Sequence, residues 1–432
     1  MRFYSDTIKM RFKRRNLFTF IMSALVGSAM FFGGWYFGYR SQAPKNARSP
    51  FANGGFFSSL YSKEEIKKKL SAQGTEAVFR FEQNEVQLDG WDEPVVLDFA
   101  FDPAIQSVSE DLLNQYKPDL ASMVVMDAST GRVLAMVGQN RSFEMEGYPA
   151  LRASYPAASV FKVITATAAI ENKSLRASSL IPFSGRSHTL YKSQVLRPDV
   201  VGWRRMASLK EAFAHSINTV FGRMGVFDIG QKPLQSMADR FGFNSTIPSE
   251  FPVETSKSAH PNSAFELAEM ASGFTQHNTL SPLHGAMIAA AIANNGDMME
   301  PYFLNSAYLR SGKTIYRSEP ILHAKVMTPE VAAELRNLMR ETVLTGTSKK
   351  SFKGFFKGSY RELDVGGKTG SLTDQAFKGK VDWFVGFAQA HGRKVAVSVL
   401  TMNKKYWTVK SSYLARKALE TTFSAKAVAK NR

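Results

Sequence analysis

The longest apolar run in the chain, Leu17 to Tyr39, covers 23 residues without a charge. As a helix it is long enough to span a hydrocarbon core of roughly 30 Å. Residues 40–62 that follow are rich in Ser, Ala, Pro, Asn and Gly and predict a linker. Residues 63–118 are mixed. Lys63–Leu70 has the look of a short charged helix, Val78–Phe81 and Val95–Phe101 of strands, and Ala104–Tyr116 has helical spacing. The pattern tightens at Met123. Met123–Asp127 and Arg132–Val137 are apolar strands joined by Ala128-Ser129-Thr130-Gly131, a hairpin signal. Pro156 and small residues lead into an Ala/Thr/Ile-rich helix from about Ser159 to Glu171. Most of residues 205–345 read as helices and loops, among them Leu209–Phe221, Ala264–Thr275 and Pro282–Asn294. Strands return at Val365–Ser371, Val381–Phe387 and Val395–Met402, and a helix from Tyr413 to about Val428 closes the chain. Strands early and late with helices between predict an α+β domain whose sheet closes from both ends of the sequence.

Composition narrows the chemistry. The 432 residues are 44 % hydrophobic, a globular balance. There is no cysteine. Disulfides, cysteine-built zinc sites, iron–sulfur clusters and thiol nucleophiles are therefore excluded. The seven histidines form no H-E-x-x-H-type pair, so no metal site is expected. The net charge is +18. Arg2, Lys9, Arg11, Lys13, Arg14, Arg15 and Arg40 against Asp6 give the first 40 residues +6 of it. Arg14 and Arg15 sit just before the apolar run, which by the positive-inside rule puts the N-terminus in the cytoplasm and residues 41–432 outside. Trp35, Tyr36 and Tyr39 cluster at the outer end, as an aromatic belt does. A cleaved signal peptide, with Gly27 and Ala29 as its small residues, is the competing reading. The apolar run continues ten residues past Ala29, which favours an uncleaved anchor. No RNA-binding signature accompanies the charge. Anionic lipid or an anionic wall polymer satisfies it, and a nucleic acid partner is not expected.

Three short motifs carry candidate chemistry. Ser159-Val160-Phe161-Lys162 opens the predicted helix, and residues at i and i+3 share a helix face, so the amine can reach the hydroxyl. A neutral lysine there takes the serine proton and activates a weak nucleophile, provided burial and nearby cations lower its pKa. The bland alternative is a surface pair on an ordinary helix. Ser216-Ile217-Asn218 offers a hydroxyl to relay a proton and an amide to hold a carbonyl; its bland alternative is helix capping. Lys368-Thr369-Gly370-Ser371 follows Gly366-Gly367 on a predicted strand, where glycines mark a close approach. A lysine and two hydroxyls there suit a carboxylate, whereas the alternative is a glycine-rich turn with a solvated lysine.

In this order and on these elements, the trio resembles the S-x-x-K, S-x-N and K-T-G motifs of the penicillin-binding protein transpeptidase family, over roughly residues 100–425. The hairpin beginning at Met123, Thr279–His284, Asn294–Gly296, Pro301-Tyr302 and Gly346-Thr347 resemble further family segments. The resemblance implies a penicillin-binding, serine β-lactamase-like fold: an antiparallel sheet flanked by helices plus an all-helical lobe, here after one N-terminal transmembrane helix. It implies a serine acyltransferase that needs no cofactor. Ser159 attacks the penultimate D-Ala carbonyl of a peptidoglycan stem peptide, with Lys162 as base. Ser216 and Lys368 shuttle protons and fix the carboxylate, and Asn218 binds the peptide amide. Thr369 and Ser371 hydrogen-bond the substrate carboxylate beside Gly370. The N–H groups of Ser159 and Ser371 form the oxyanion hole, and penicillin traps Ser159.

The departures sharpen the expectation. The middle motif is Ser-Ile-Asn, not Ser-Asp-Asn, and the one E-x-x-L-N-like pattern, Glu110 to Asn114, lies upstream of Ser159. Efficient penicillin hydrolysis is therefore not expected. The span between anchor and core is too short for a glycosyltransferase domain, so a monofunctional, class B-like protein is expected. Its predicted parts are a basic cytoplasmic tail (1–16), an anchor (17–39), the linker (40–62), a short lead-in (63–118) and a transpeptidase domain (119–432). Stem peptides, β-lactams, membrane lipid and cell-wall synthesis proteins are the expected partners. A D,D-carboxypeptidase or endopeptidase, or a slow penicillin-binding scaffold or sensor, stays open as the alternative.

Overall fold

The computed structural model describes residues 60–72, 84–199 and 204–424. They belong to the second of two compact units, which begins at Ser59. The predicted tail, the span at 17–39, nearly all of the linker, the strand at 78–81 and the end of the last helix lie outside the described residues. Among the described residues no helix is long and apolar enough to cross a membrane.

Five strands build the central sheet: β1 (Leu120–Asp127), β2 (Val133–Asn140), β3 (Asp364–Thr373), β4 (Lys380–Ala390) and β5 (Arg393–Asn403). Their order is β3-β4-β5-β1-β2, antiparallel throughout. The early hairpin and the late strands meet where Val395–Met402 of β5 runs along Asp127–Leu120 of β1. In β1, β4 and β5 both faces are buried, which is why these strands read as almost unbroken apolar runs. Met123 and Val125 point with Val397 and Val399 into one core, while Val124 and Met126 point with Ala396 and Leu400 into the other.

Six helices matter for the site: α1 (Pro103–Tyr116), α2 (Lys162–Lys173), α3 (Ala264–Ser272), α4 (Pro282–Ala293), α5 (Pro329–Leu344) and α6 (Ser411–Thr422). Helices α1 and α6 contribute Leu112, Leu113, Leu414 and Leu419 to the first core. Every residue of α4 is buried, as an alanine-rich helix that is apolar all round must be. Asp102 caps α1 by accepting from the N–H groups of Ala104 and Ile105, with Pro103 in the first turn.

Two stretches differ from the sequence expectation. The predicted helix Leu209–Phe221 is two helices, Leu209–Ala214 and Asn218–Arg223, with Ser216 between them at φ +55°. The break arises because the Asn218 N–H bonds Ser187 O at 2.7 Å instead of continuing a helix. Residues 295–325, read as helix and loop, hold four strands. Leu304–Leu309 pairs with both Val95–Phe99 and Thr314–Arg317, so the lead-in segment shares a sheet with chain some 200 residues away. Tyr61, at the end of the predicted linker, donates its N–H to Ile315 O at 2.7 Å. Beneath this sheet the fully buried Glu250 accepts from Phe303 N (3.2 Å), Tyr316 OH (2.9 Å) and Ser318 Oγ (2.9 Å). Burial pushes its carboxyl above the usual range.

Candidate active site

The segment before Ser159 is held from three sides. Tyr155 and Pro156 pair with Leu280 and Thr279, Ala157 N–H bonds Asn278 O at 2.7 Å, and Trp383 Nε1 of β4 donates to Pro156 O at 2.9 Å. Ser159 sits in a single 3₁₀ turn, Ala158–Phe161, that runs directly into α2. Ala158 has φ +48°, a left-handed conformation that costs a non-glycine residue about 1 kcal/mol. Such strain beside a reactive group is retained only where the surroundings over-determine it. Two glycines supply the close fit. A Cβ on Gly273, itself at φ +67°, would lie 2.0 Å from Ala158 O. A Cβ on Gly370 would lie 3.2 Å from both Ser159 N and Ala157 O, so edge strand β3 runs against the serine turn.

The i, i+3 spacing delivers what it predicted geometrically. Lys162 Nζ donates to Ser159 Oγ at 2.8 Å. Its other partners are Asn218 Oδ1 at 2.7 Å and Ser272 O at 2.5 Å. No acid bonds this amine, and Lys162 is 0 % exposed. Burial first, and the Lys368 charge second, hold its pKa well below the lysine range. The Phe221 ring lies 5.6 Å below the amine.

A second lysine sits close by. Lys368, also fully buried, donates to Ser216 Oγ at 3.1 Å and to Thr369 O at 2.8 Å, with the Phe213 ring at 5.5 Å. Burial lowers its pKa to about 7. The helix break that sequence reasoning did not foresee is what makes this possible. Ser216 and Asn218 flank it, so one hydroxyl meets Lys368 while the amide meets Lys162 and donates through Nδ2 to His188 O at 3.0 Å.

Thr369 Oγ1 lies 2.5 Å from Thr347 Oγ1, and Gly346 has Ala214 O so close that a Cβ there would sit 2.4 Å away. Ser371 is exposed, and its Oγ donates to Asp382 Oδ1 at 3.2 Å. Asp382 also accepts from Lys410 Nζ (3.1 Å) and from Ser411 N (2.8 Å) at the start of α6. The Ser371 proton therefore faces away from the carboxylate role that the resemblance implies. A swing toward substrate leaves Asp382 with two other donors.

All eight residues singled out from the sequence converge on one place. Three participants were missed. The Ser272 carbonyl carries no side-chain signal at all. Asp382 is visible only once β3 and β4 are in register. His188 lies on a loop, and burial followed by the Lys162 and Lys368 charges lowers its pKa. Among the described residues no cluster of His, Asp and Glu could hold a metal ion.

Residues 121–421 match the penicillin binding protein transpeptidase domain. A peptidoglycan D,D-transpeptidase PbpA of Mycobacterium tuberculosis is 30 % identical over 344 residues, spanning 71 % of this chain and 67 % of that protein. Stage V sporulation protein D of Bacillus subtilis is 24 % identical over 73 % of this chain and 50 % of its own length. The solved structure of penicillin-binding protein A from M. tuberculosis, as a ceftriaxone acyl-enzyme complex, superposes with a TM-score of 0.60 at 27 % identity, covering 75 % of this chain and 79 % of that one. The chain belongs to the penicillin-binding protein transpeptidase family.

Proposed function

We propose that this protein is a membrane-anchored peptidoglycan D,D-transpeptidase working through a Ser159 acyl-enzyme. The observation that carries the reading is the Lys162 amine 2.8 Å from Ser159 Oγ, fully buried and biased to the neutral form. Neutral Lys162 accepts the Ser159 proton as Oγ attacks the penultimate D-Ala carbonyl. The oxyanion of the tetrahedral intermediate is received by the backbone N–H groups of Ser159 and Ser371. Collapse breaks the peptide bond, and the departing D-Ala nitrogen takes a proton from Ser216, refilled from Lys368 at 3.1 Å. With a pKa of about 7, Lys368 can both hold and release that proton near neutral pH. Asn218 holds the donor peptide, and Thr369 and Ser371 receive its terminal carboxylate beside Gly370. An amine on a neighbouring stem then attacks the ester, forming the cross-link and freeing Ser159. A β-lactam follows the first half of this path.

The relatives that bear transpeptidase names support this reading. The anchor at 17–39, the cytoplasmic tail at 1–16, the linker at 40–62, the lead-in at 63–118 and an extracytoplasmic catalytic domain at 119–432 complete it. Cell-wall synthesis proteins at the membrane are the partners it calls for. Labelled penicillin with mass mapping tests the nucleophile: the adduct is expected on Ser159 and is expected to vanish in Ser159→Ala. An adduct elsewhere, or labelling that survives the substitution, refutes the mechanism. A stem-peptide donor given with and without an amine acceptor tests the second half. Trimmed peptide as the sole product at every acceptor concentration would make the protein a D,D-carboxypeptidase instead.

A further inference from the structure

Beside the K-T-G end of the cleft the surface changes character. Three segments converge there: 345–361, 375–380 and 404–410. Together they hold ten basic residues and no acid. Thr347 of the first segment touches Thr369, and Ser351 Oγ lies 2.7 Å from Ser412 Oγ, just past the third. Lys380 Nζ, at the end of the second, donates to Lys405 O at 3.0 Å. The segments therefore form one continuous rim. Its crest is aromatic. Tyr406 is 82 % exposed, more than any other large apolar side chain among the described residues, and Trp407 is 41 % exposed. Lys410 lies over the Trp407 ring at 3.2 Å and bridges back to Asp382, the partner of Ser371. A chain of direct contacts thus runs from the cleft wall to the aromatic crest.

Neither feature is explained by folding. Nine of these ten cations, all but Lys410, have no ion pair among the described residues, and a bare tyrosine gains nothing from the core. Both suit an extended partner that is anionic and presents flat apolar faces. Resting on the acyl-transfer reading above, we propose that this rim docks an uncross-linked glycan strand bearing several stem peptides. The exposed rings of Tyr406 and Trp407 take the apolar faces of sugar rings, and Lys378, Lys404 and Lys405 meet free stem carboxylates. A bilayer is the competing anionic surface. Held by the same three segments, it would cover the Thr347–Thr369 end of the cleft and obstruct the site it borders, which favours the strand. The rim converts one weak terminal contact into a multivalent one and raises the local concentration of stems at Ser159.

The test measures binding of soluble, uncross-linked glycan strands with pentapeptide stems to the full-length chain in detergent. Anionic phosphatidylglycerol vesicles serve as the second probe. Lys378→Glu combined with Lys405→Glu is expected to weaken strand binding about tenfold and to flatten its salt dependence. Tyr406→Ala is expected to weaken it severalfold with the salt dependence intact. The acylation rate with a small labelled penicillin is read on each variant as a separate report on Ser159. Normal penicillin labelling with unchanged strand binding overturns the docking rim alone. Loss of binding to vesicles but not to strands overturns it in favour of a membrane surface. Absence of penicillin labelling on Ser159 in the parent chain removes the acyl-transfer reading, and the proposal with it.

Discussion

Gly273 is the residue whose substitution tests the site's architecture most directly. It follows α3 in the left-handed conformation, φ +67°, and its Cα faces the carbonyl of Ala158, the residue before Ser159. The preceding carbonyl, Ser272 O, accepts from Lys162. Gly273→Ala places a methyl 2.0 Å from Ala158 O and 3.2 Å from Ser159 N, whereas real Cβ contacts stay beyond 3.0 Å. The two segments must part by about 1 Å, and the residue itself pays about 1–2 kcal/mol for an L side chain in that conformation. A shift of about 1 Å between reacting groups costs about a hundredfold in rate, or about 2.7 kcal/mol of barrier. The measurement is the second-order rate of Ser159 acylation by a labelled penicillin, with thermal unfolding followed in parallel. The expected outcome is a fall of about two orders of magnitude in a chain that still unfolds cooperatively. A rate within about threefold of the parent would show that α3, not the serine turn, absorbs the displacement, and the claim that Gly273 sets the nucleophile's position would be wrong.

Two further outcomes follow from the buried ionisable groups. Because Lys162 must be neutral to accept the Ser159 proton while Lys368 must hold the proton it passes to Ser216, turnover of a peptide donor is expected to fall as pH rises through about 7; a flat profile across that range contradicts the Lys368 assignment. The same shift has a stability consequence. Folded Lys368 binds fewer protons than the unfolded lysine between about 7 and 10.5, so stability grows with pH over that window and is lowest below it. Lys162 adds to the same slope, so Lys368→Met is expected to remove only part of it in urea unfolding at several pH values, and an unchanged slope contradicts the shift. Glu250→Ala strands the buried Phe303 N–H, the Tyr316 and Ser318 hydroxyls keeping each other, and is expected to cost about 1–3 kcal/mol, seen as a drop in unfolding midpoint, while Glu250→Gln, which keeps an acceptor oxygen, loses less.

The central sheet was legible because β1, β4 and β5 are apolar over most of their length and the Ala128–Gly131 turn is local. Helices α1, α3 and α4 begin at residues that signal a start: Asp102 with Pro103, Ser263, and Ser281 with Pro282. The strands at 304–309 and 314–317 were not legible, because their partner at 95–99 is remote and their faces are mixed. The trio of motifs was legible as spacing. What spacing could not give was the break at Ser216, whose positive φ is imposed by the Ser187 and Ala212 carbonyls that capture the next two N–H groups. Nor could it give the Asp382–Ser371 bond, which exists only through the β3–β4 register.

The sheet's strand order also governs when the reactive pair can exist. Ser159 and Lys162 leave the ribosome long before Lys368, and β1 and β2 must wait for β5 before they gain their neighbour. Folding of this domain is therefore dominated by contacts of long sequence separation, the slow and aggregation-exposed regime. During synthesis the serine emerges with Lys162 still hydrated and charged. Asn218, Phe221 and Ser272 surround the amine, and the edge strand that runs against the serine turn is supplied last. A chain truncated before Asp364 carries the serine and its lysine without Lys368 and without the strand that runs against their turn.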